Sequence, residues 1–215
     1  MNLKALILVA AACAALTAEA RTAADVFKEA PATVVPLLQT NTRLDMLDYF
    51  NSGLPTPSAN TLGGRSRITA LTDRAMTIEL SRDASMQIAL VANGRDTVIA
   101  VIETVLTPVA DSSIRLFRAT DWTELPSLSM PGIAQFADPA RRKELKTAEM
   151  PEYLFVRAEF DPETALFRFT DTTPAYYTDA DRPEGLRLLR QNIEMRLSGG
   201  KFTEKSDGRT GYKLA

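Results

Sequence analysis

The chain has 215 residues, with 25 lysines and arginines against 27 aspartates and glutamates, a net charge of −2, one cysteine and no histidine. The near-neutral charge argues against nucleic-acid binding, which needs a clustered basic surface. Without histidine, and with its cysteine in a segment predicted to be removed, the protein lacks the residues for Ser-His-Asp or Cys-His catalysis, histidine-ligated zinc, haem ligation and iron–sulfur clusters.

Residues 1–20 have the pattern of a secretory signal peptide. A lysine precedes an apolar run over Ala5–Leu16, and the segment ends in Ala-Glu-Ala. The run is too short to span a membrane, so we predict no transmembrane segment in the mature chain. We predict cleavage after Ala20 and export, to the periplasm. A lipoprotein anchored at Cys13 is the less favoured alternative, because Cys13 lies inside the apolar run.

Two helices are predicted before the first strands. The first spans Ala23–Glu29, and the second extends from Asn41, as its N-cap, to near Gly53. The apolar stripe of the second helix consists of Leu44, Met46, Leu47 and Phe50. The rest of its surface, which we predict to face solvent, carries Arg43, Asp45 and Asp48.

Between Ser66 and Arg118, apolar residues alternate with a period of two, which predicts five consecutive β-strands. The fourth of these strands, from Thr97 to Leu106, is apolar on both faces. Such a strand lies inside a sheet and needs cover on each side.

Asn93-Gly94 is a strong signal for a two-residue hairpin turn before that strand. With these two residues at the centre of the turn, the register places Leu90 opposite Thr97, Ile88 opposite Ile99 and Met86 opposite Val101. Those side chains then share one face of the sheet. The residues predicted on the other face are Ala89, Val98, Ala100 and Ile102.

Prolines and glycines between residues 121 and 151 mark a boundary. We therefore predict an N-terminal unit over residues 21–130, with the helices and a five- to six-strand antiparallel meander. A C-terminal unit over residues 131–215 has a short charged helix from Asp138 to Ala148, then antiparallel strands. The two units are predicted to pack together as one compact body.

Segregated helices and antiparallel meanders, without βαβ alternation, predict an α+β fold with peripheral helices. The alternative is a β-sandwich that carries peripheral helices. An isoleucine, an alternating strand, a break and an aromatic residue follow one another in both Ile114–Trp122 and Ile193–Phe202. This leaves open a tandem of two helix-plus-meander units within the α+β class.

Several segments resemble a family of exported Bacteroidetes proteins of unknown function. The resemblance is carried by Ala24-Asp25-Val26-Phe27, Val35-Pro36-Leu37-Leu38, the run from Asn41 to Tyr49, Ile102-Glu103-Thr104-Val105 and Asp111-Ser112. It covers most of the chain after residue 20. It implies export, and it supplies no activity, cofactor or catalytic residue.

We favour an exported, non-catalytic module that binds an envelope protein or a glycan. Its candidate contact residues are Trp122, Tyr176 and Tyr177, because aromatic side chains can stack on a sugar or a partner; core filling is the alternative role for all three. No cofactor, metal ligand or catalytic residue is predicted. The alternative function is a carboxylate-dependent hydrolase such as a glycosidase, for which two facing acids suffice. Its acids would come from Asp111, Asp121, Asp171 and Asp179.

Overall fold

The computed structural model describes residues 21–54 and 56–204, so the predicted signal peptide lies outside the described residues. Four α-helices occur in this part of the chain: α1 Ala23–Glu29, α2 Thr40–Asn51, α3 Ile133–Phe136 and α4 Arg142–Leu145. Its strands are β1 Ser58–Ala59, β2 Arg65–Leu71, β3 Ala75–Ser81, β4 Ala84–Asn93, β5 Asp96–Val105, β6 Asp111–Arg118, β7 Val156–Asp161, β8 Leu166–Asp171, β9 Asn192–Ser198 and β10 Lys201–Glu204. Short 3₁₀ segments occupy Pro139–Arg141, Thr173–Ala175 and Glu184–Leu188.

The strands form two antiparallel sheets in which neighbours in the sheet are neighbours in the chain. The first sheet has the order β1-β2-β3-β4-β5-β6, and the second has the order β10-β9-β8-β7. This confirms the predicted α+β class with antiparallel meanders and peripheral helices. The five strands predicted between Ser66 and Arg118 are β2 to β6.

The first sheet is covered on both faces, which gives the molecule three layers. One face packs against α1, α2 and residues 30–38, in a cluster that includes Phe27, Leu47, Ile88 and Val101. The other face packs against the second sheet, in a cluster that includes Ala100, Ile102, Phe160 and Phe167. β5 contributes to both clusters, as its two apolar faces require. The stacked sheets are also the feature that the β-sandwich alternative would share.

The predicted bounds of α1 are confirmed, and local signals explain where this helix begins. Thr22 is the N-cap: its hydroxyl oxygen accepts the N–H of Asp25 at 3.2 Å, and the Asp25 carboxylate accepts the N–H of Thr22 at 3.1 Å. Together these hydrogen bonds form a capping box. The side chain and backbone of Thr22 lower the pKa of Asp25 to about 2, because they donate to its ionised form.

The prediction for α2 was wrong at its start and on one face. Its N-cap is Gln39 rather than Asn41. Arg43, which was predicted to face solvent, is only 5% exposed, and Leu44, which was predicted in the apolar stripe, is 43% exposed. The reason is that Arg43 points at α1 and donates to carbonyl groups at the C-terminal end of that helix. The next residue, about 100° further around α2, therefore faces solvent.

The turn between β4 and β5 lies one residue later than predicted. Asn93 pairs with Asp96, so Gly94 and Arg95 are the central residues. Of these two, only Gly94 has a positive φ, at +72°, which is the pattern of a type II′ turn. Asn93 stays in the ladder, where its side-chain oxygen accepts the N–H of Gly200 from the β9–β10 turn at 3.0 Å.

The predicted register was therefore wrong by two residues. In the structure the pairs are Leu90 with Ile99, Ile88 with Val101 and Met86 with Glu103. Because side chains alternate with a period of two, a shift of two positions leaves every residue on its predicted face. The helix-side cluster contains Met86, Ile88, Leu90, Ile99 and Val101. The inter-sheet cluster contains Ala89, Val98, Ala100 and Ile102.

We expect Gly94→Ala to lower the free energy of unfolding by about 1 kcal/mol, because a β-carbon disfavours positive φ. A β-carbon at this position would meet no atom within 4 Å, so backbone strain is the main new cost. Gly132→Ala is the matched control, since Gly132 has a φ of −106° and its added β-carbon would make an ordinary contact at 3.8 Å. Urea unfolding of both variants checks the prediction, and equal losses would contradict it.

Side chains of the first sheet, rather than another strand, cover the outer edge of β7. The N–H groups of Val156, Ala158 and Phe160 donate to side-chain oxygens of Asp111, Ser112 and Gln87, respectively, at 2.7–3.0 Å. Uncovered edge strands tend to pair with other chains, so this arrangement protects β7 and also joins the two sheets.

The charged helix predicted from Asp138 to Ala148 is shorter and broken. Its first turn, Pro139–Arg141, is a 3₁₀ segment, and α4 covers only Arg142–Leu145. Arg141 donates to the carbonyl of Arg187 at 2.7 Å, so a contact distant in sequence shapes this region. The helix α3 was not predicted. The 3₁₀ segment Glu184–Leu188 begins directly after Pro183.

Candidate binding surface

Three aromatic rings, of which that of Tyr176 is exposed, contact one another where β7 begins and β8 ends. Tyr153 and Tyr176 are the exposed aromatic side chains among the described residues, at 57% and 47%. The ring of Tyr176 lies 5.0 Å from that of Phe155 and 5.4 Å from that of Tyr177. Tyr153 precedes Phe155 by two residues, which is about 7 Å in an extended segment. We call these four residues, Tyr153, Phe155, Tyr176 and Tyr177, the aromatic strip.

Buried polar groups at the end of β8 hold the aromatic strip in place. The hydroxyl oxygen of the fully buried Thr173 accepts the N–H of Phe155 at 2.9 Å. The carbonyl of Phe155 accepts the N–H of Thr172 at 3.0 Å. Both backbone groups of Phe155 are thus fixed to the chain that follows β8. Pro174 lies in the 3₁₀ segment that follows, and this segment leads directly into Tyr176 and Tyr177.

Asp171 completes this polar cluster. Its carboxylate accepts the N–H of Thr173 at 3.0 Å, and the residue is buried. Burial raises the pKa of Asp171 above its ordinary value, because the charged form loses its hydration; hydrogen bonds from Thr173 partly oppose this. A buried acid therefore supports the 3₁₀ segment from which the two tyrosines extend.

We expect Asp171→Asn to change how stability depends on pH. The pKa of the folded-state carboxyl is raised, so its ionisation costs folding free energy above that pKa and costs nothing well below the unfolded-state pKa. Asparagine cannot ionise. The free energy of unfolding of the variant, minus that of the parent, should therefore increase as the pH rises from about 3 to about 7, measured by urea unfolding.

Asp121→Asn is the control, because its effect on stability should change with pH in the opposite direction. Hydrogen bonds from Thr123 lower the pKa of this exposed carboxyl, so its ionised form stabilises the fold above the unfolded-state pKa. The same variant-minus-parent difference should fall as the pH rises. A flat or falling difference for Asp171→Asn would contradict the argument for Asp171.

A charged loop adjoins the aromatic strip. The hydroxyl of Thr178 donates to the carboxylate of Asp181 at 2.8 Å, and Asp179 pairs with Arg182 at 3.2 Å. Arg182 also approaches the carbonyl of Pro174, within the segment that carries the tyrosines, at 3.5 Å. Carboxylate and guanidinium groups thus lie in solvent beside the aromatic rings.

Trp122 lies apart from the aromatic strip. Its ring is tilted against that of Phe117 at 5.5 Å and packs on the helix-side cluster. The backbone N–H of Trp122 donates to the carbonyl of Arg118, the last residue of β6. The hydroxyl of Thr172, beside the strip, donates to the carbonyl of Ala110, just before β6 begins. A strand of this length extends about 26 Å. The structure therefore brings the two predicted tyrosines together and leaves Trp122 at the other end of β6.

The four acids considered for the hydrolase alternative each hold local structure. Asp111 accepts the N–H of Val156, Asp171 accepts that of Thr173, Asp121 accepts that of Thr123, and Asp179 pairs with Arg182. Asp111 and Asp171 both adjoin Val156: Asp111 accepts its N–H, and Asp171 is its register partner in β8. Within the described residues, no group of three or more Asp, Glu, Cys or His side chains is placed to hold a metal ion.

A cleft with a volume of about 310 Å³ lies between residues 127–131 and the β9–β10 hairpin. Its floor includes Phe202, whose ring packs edge-on against Phe167 and Phe169 at 4.8–5.0 Å. Leu128 and Met130, which line this cleft, also pack on the inter-sheet cluster. The cleft is therefore the surface end of the core, and we assign its apolar residues a packing role.

The comparisons with known proteins support the fold. A family model described as a protein of unknown function, DUF3256, matches residues 15–202. The chain belongs to this family. A solved domain of an uncharacterized protein from Porphyromonas gingivalis W83 resembles this DUF3256 chain with a TM-score of 0.65 and 19% identity, over 85% of this chain and 96% of that one. At this identity the likeness shows the fold alone. A search of curated proteins finds no match.

The resemblance noted in the sequence is confirmed in its coarser form, a DUF3256 protein with a structural neighbour from the Bacteroidetes. Export and the periplasmic location stay predictions. Among residues 21–54 and 56–204, no helix combines the length and the apolar content needed to cross a membrane.

The sequence analysis missed Tyr153 and Phe155 as members of the aromatic strip. They stand about twenty residues before Tyr176, and no spacing motif links them to it. The link is made by Thr172 and Thr173, whose hydrogen bonds to Phe155 form only when β7 and β8 pair. The available signal was a tyrosine and a phenylalanine in the residues that lead into β7.

Proposed function

We propose that this protein is an exported, periplasmic, non-catalytic module that binds a neutral envelope glycan along the aromatic strip. The observation that carries the proposal is the exposed ring of Tyr176, which packs between Phe155 and Tyr177. Exposed aromatic rings that gather in one place on a protein surface mark interaction sites, since isolated apolar side chains would need no explanation.

The chemistry of the strip suits a sugar chain. The apolar C–H face of a pyranose ring can pack on an aromatic face, and tyrosine supplies both a flat apolar body and a hydroxyl group. Beside the rings, Asp179 and Arg182 offer an acceptor and donors for sugar hydroxyl groups. The ring centres lie 5.0 and 5.4 Å apart, and their planes are tilted by 44° and 88°, so a ligand that stacks on Tyr176 can also reach its two neighbours.

Titration calorimetry of the purified protein with a panel of neutral oligosaccharides tests this proposal. We expect one of them to bind saturably, and Tyr176→Ala to weaken its binding by about tenfold or more. Tyr176→Phe keeps the ring and should retain most of the affinity. Val105→Ala is the matched control, because Val105 is also exposed and lies at the end of β5, outside the strip.

Fluorescence gives a second readout, because Trp122 is the single tryptophan of the chain and lies away from the strip. Binding at the strip should leave the tryptophan emission maximum unchanged. Saturable binding that shifts this emission and ignores Tyr176→Ala would place the ligand elsewhere and refute the proposed site. Hydrolysis of a bound oligosaccharide would refute the non-catalytic role.

A further inference from the structure

We propose that a small apolar pocket on the helix side of the first sheet binds the N-terminus of a peptide whose first residue is aliphatic. The pocket lies between residues 35–38 and the strands β3 to β5, and its volume is about 120 Å³. Buried side chains that line it include those of Leu38, Leu80 and Met86. Among the lining residues, Glu103 is the charged one. The pocket shares no residue with the aromatic strip.

Hydrogen bonds hold the outer wall of this pocket in place. The N–H of Leu38 donates to the carbonyl of Val35 at 3.1 Å, which closes a turn over residues 35–38. The N–H of Thr61 donates to the carbonyl of Leu37, also at 3.1 Å, and fixes this turn to the loop before β2. The opposite wall belongs to paired strands of the sheet. A ligand can therefore bind without first ordering the pocket, which favours affinity.

Glu103 places a carboxylate on the apolar face of β5. Side chains alternate along a strand, so Glu103 shares its face with Ile99 and Val101 of the helix-side cluster. Its register partner in β4 is Met86, which is 2% exposed. Arg115 donates to one oxygen of the Glu103 carboxylate at 3.4 Å, and both side chains are partly exposed, so this ion pair is weak. An ammonium group of a ligand can bind the other oxygen.

The size and surroundings of the pocket favour a peptide over a small amine. A cavity of about 150 Å³ holds a benzene molecule, so this smaller pocket suits an aliphatic side chain of about four carbons, such as that of leucine. Leu80 and Glu103 also line a wider depression of about 430 Å³, together with Ser85, Val105 and Ser113. This depression has room for the following residues of a peptide, and its hydroxyl groups can bond to their backbone.

Nuclear magnetic resonance of the purified protein tests the inference, with the tripeptide amide Leu-Ala-Ala as the probe and methionine methyl signals as the readout. We expect the signal of Met86 to shift saturably at up to about 10 mM peptide, and that of Met130, in the cleft beside the β9–β10 hairpin, to stay unchanged. The N-acetylated peptide lacks the ammonium group and should bind about tenfold more weakly. The amide of Ala-Ala-Ala should also bind about tenfold more weakly, because it leaves the pocket unfilled.

Glu103→Gln should weaken binding of the free peptide by about tenfold and leave binding of the N-acetylated peptide unchanged. Glu194→Gln is the matched control and should bind like the parent. Glu194 also pairs with an arginine of the neighbouring strand at 3.4 Å, and its side chain is 41% exposed against 38% for Glu103. Circular dichroism must show that Glu103→Gln is folded. If it is not, Leu37→Trp, which fills the pocket from its partly buried wall, replaces it and should abolish binding.

Three results would overturn the inference. The first is the absence of a saturable shift at Met86, or equal affinities for the free and N-acetylated peptides. The second is an equal loss of affinity in Glu103→Gln and Glu194→Gln, since the effect would then not arise in the pocket. The third is butylammonium that binds as tightly as the peptide, because the depression would then contribute nothing and the ligand would be a small amine.

Discussion

Arg43→Ala is expected to lower the free energy of unfolding by about 3 kcal/mol, because it removes hydrogen bonds from a charged, buried donor. The guanidinium of Arg43 donates to the carbonyl oxygens of Phe27 and Ala30, each at 2.7 Å, and to the hydroxyl of Thr40 at 3.2 Å. It also lies 5.9 Å from the centre of the Phe27 ring. These carbonyls lie at the end of α1, where backbone donors are scarce: the oxygen of Phe27 also accepts the N–H of Ala30, at 3.4 Å.

The site explains why an arginine is buried without an acid. Within the described residues, its hydrogen bonds go to two backbone carbonyls and a hydroxyl, with no carboxylate partner. The C-terminal end of a helix carries partial negative charge, which favours a cation there. Burial lowers the pKa of Arg43, since the guanidinium loses hydration. The residue thus fixes α2 to the end of α1, and both helices cover the first sheet.

Two further substitutions separate the contribution of the hydrogen bonds from those of charge and packing. Arg43→Met keeps a long apolar side chain but has no donor. Its free energy of unfolding should therefore fall by nearly as much as that of Arg43→Ala, about 2–3 kcal/mol, which measures the contribution of the hydrogen bonds. Arg43→Lys keeps the charge but replaces the planar fork with a single ammonium, so it should fall between the parent and Arg43→Met. Urea unfolding measures all three variants. If Arg43→Met were as stable as the parent, packing rather than hydrogen bonding would hold α2 in place.

Arg43 also shows where sequence reasoning fails. The helix α2 was predicted from its apolar spacing, and the cationic residue was assigned to the solvent side as its chemistry suggests. Its burial depends on the end of α1 lying against α2, and only the folded chain brings the carbonyls of that helix end beside the arginine. By contrast, the faces of β4 and β5 were predictable despite a wrong register, because alternation with a period of two fixes the face of each residue whatever its partner.

Only part of the candidate site was predictable from the sequence. Tyr176 and Tyr177 are adjacent in sequence, so their proximity needed no knowledge of the fold. Trp122 was grouped with them on residue type alone, and the length of β6 separates it from them. Phe155, whose ring packs on Tyr176, was missed because its position depends on hydrogen bonds with Thr172 and Thr173 across two strands.

Gln87→Leu is expected to cost about 3 kcal/mol, because it leaves two backbone groups of β7 without partners. The side-chain amide of Gln87 accepts the N–H of Phe160 at 2.7 Å and donates to the carbonyl of the same residue at 3.0 Å. It therefore replaces a neighbouring strand at this point and connects β4 of the first sheet to the edge of the second. Ser112→Ala also removes two hydrogen bonds, to the N–H of Ala158 at 2.9 Å and to the hydroxyl of Thr104 at 2.8 Å, so its expected cost is of similar size, about 2–3 kcal/mol.

Gln87→Glu gives the sharper test, because its effect should depend on pH. A protonated carboxyl group can both accept from the N–H and donate to the carbonyl of Phe160, as the amide does, whereas an ionised carboxylate can only accept. The partly buried position and the facing carbonyl oxygen should raise the folded-state pKa of the introduced acid, so the variant should approach parent stability at low pH and lose stability as the pH rises through that pKa. Urea unfolding at about pH 4 and pH 8, with the pH-insensitive Gln87→Leu variant as reference, measures this difference. A loss for Gln87→Glu that is equal at both pH values would show that donation to the Phe160 carbonyl does not hold the sheets together.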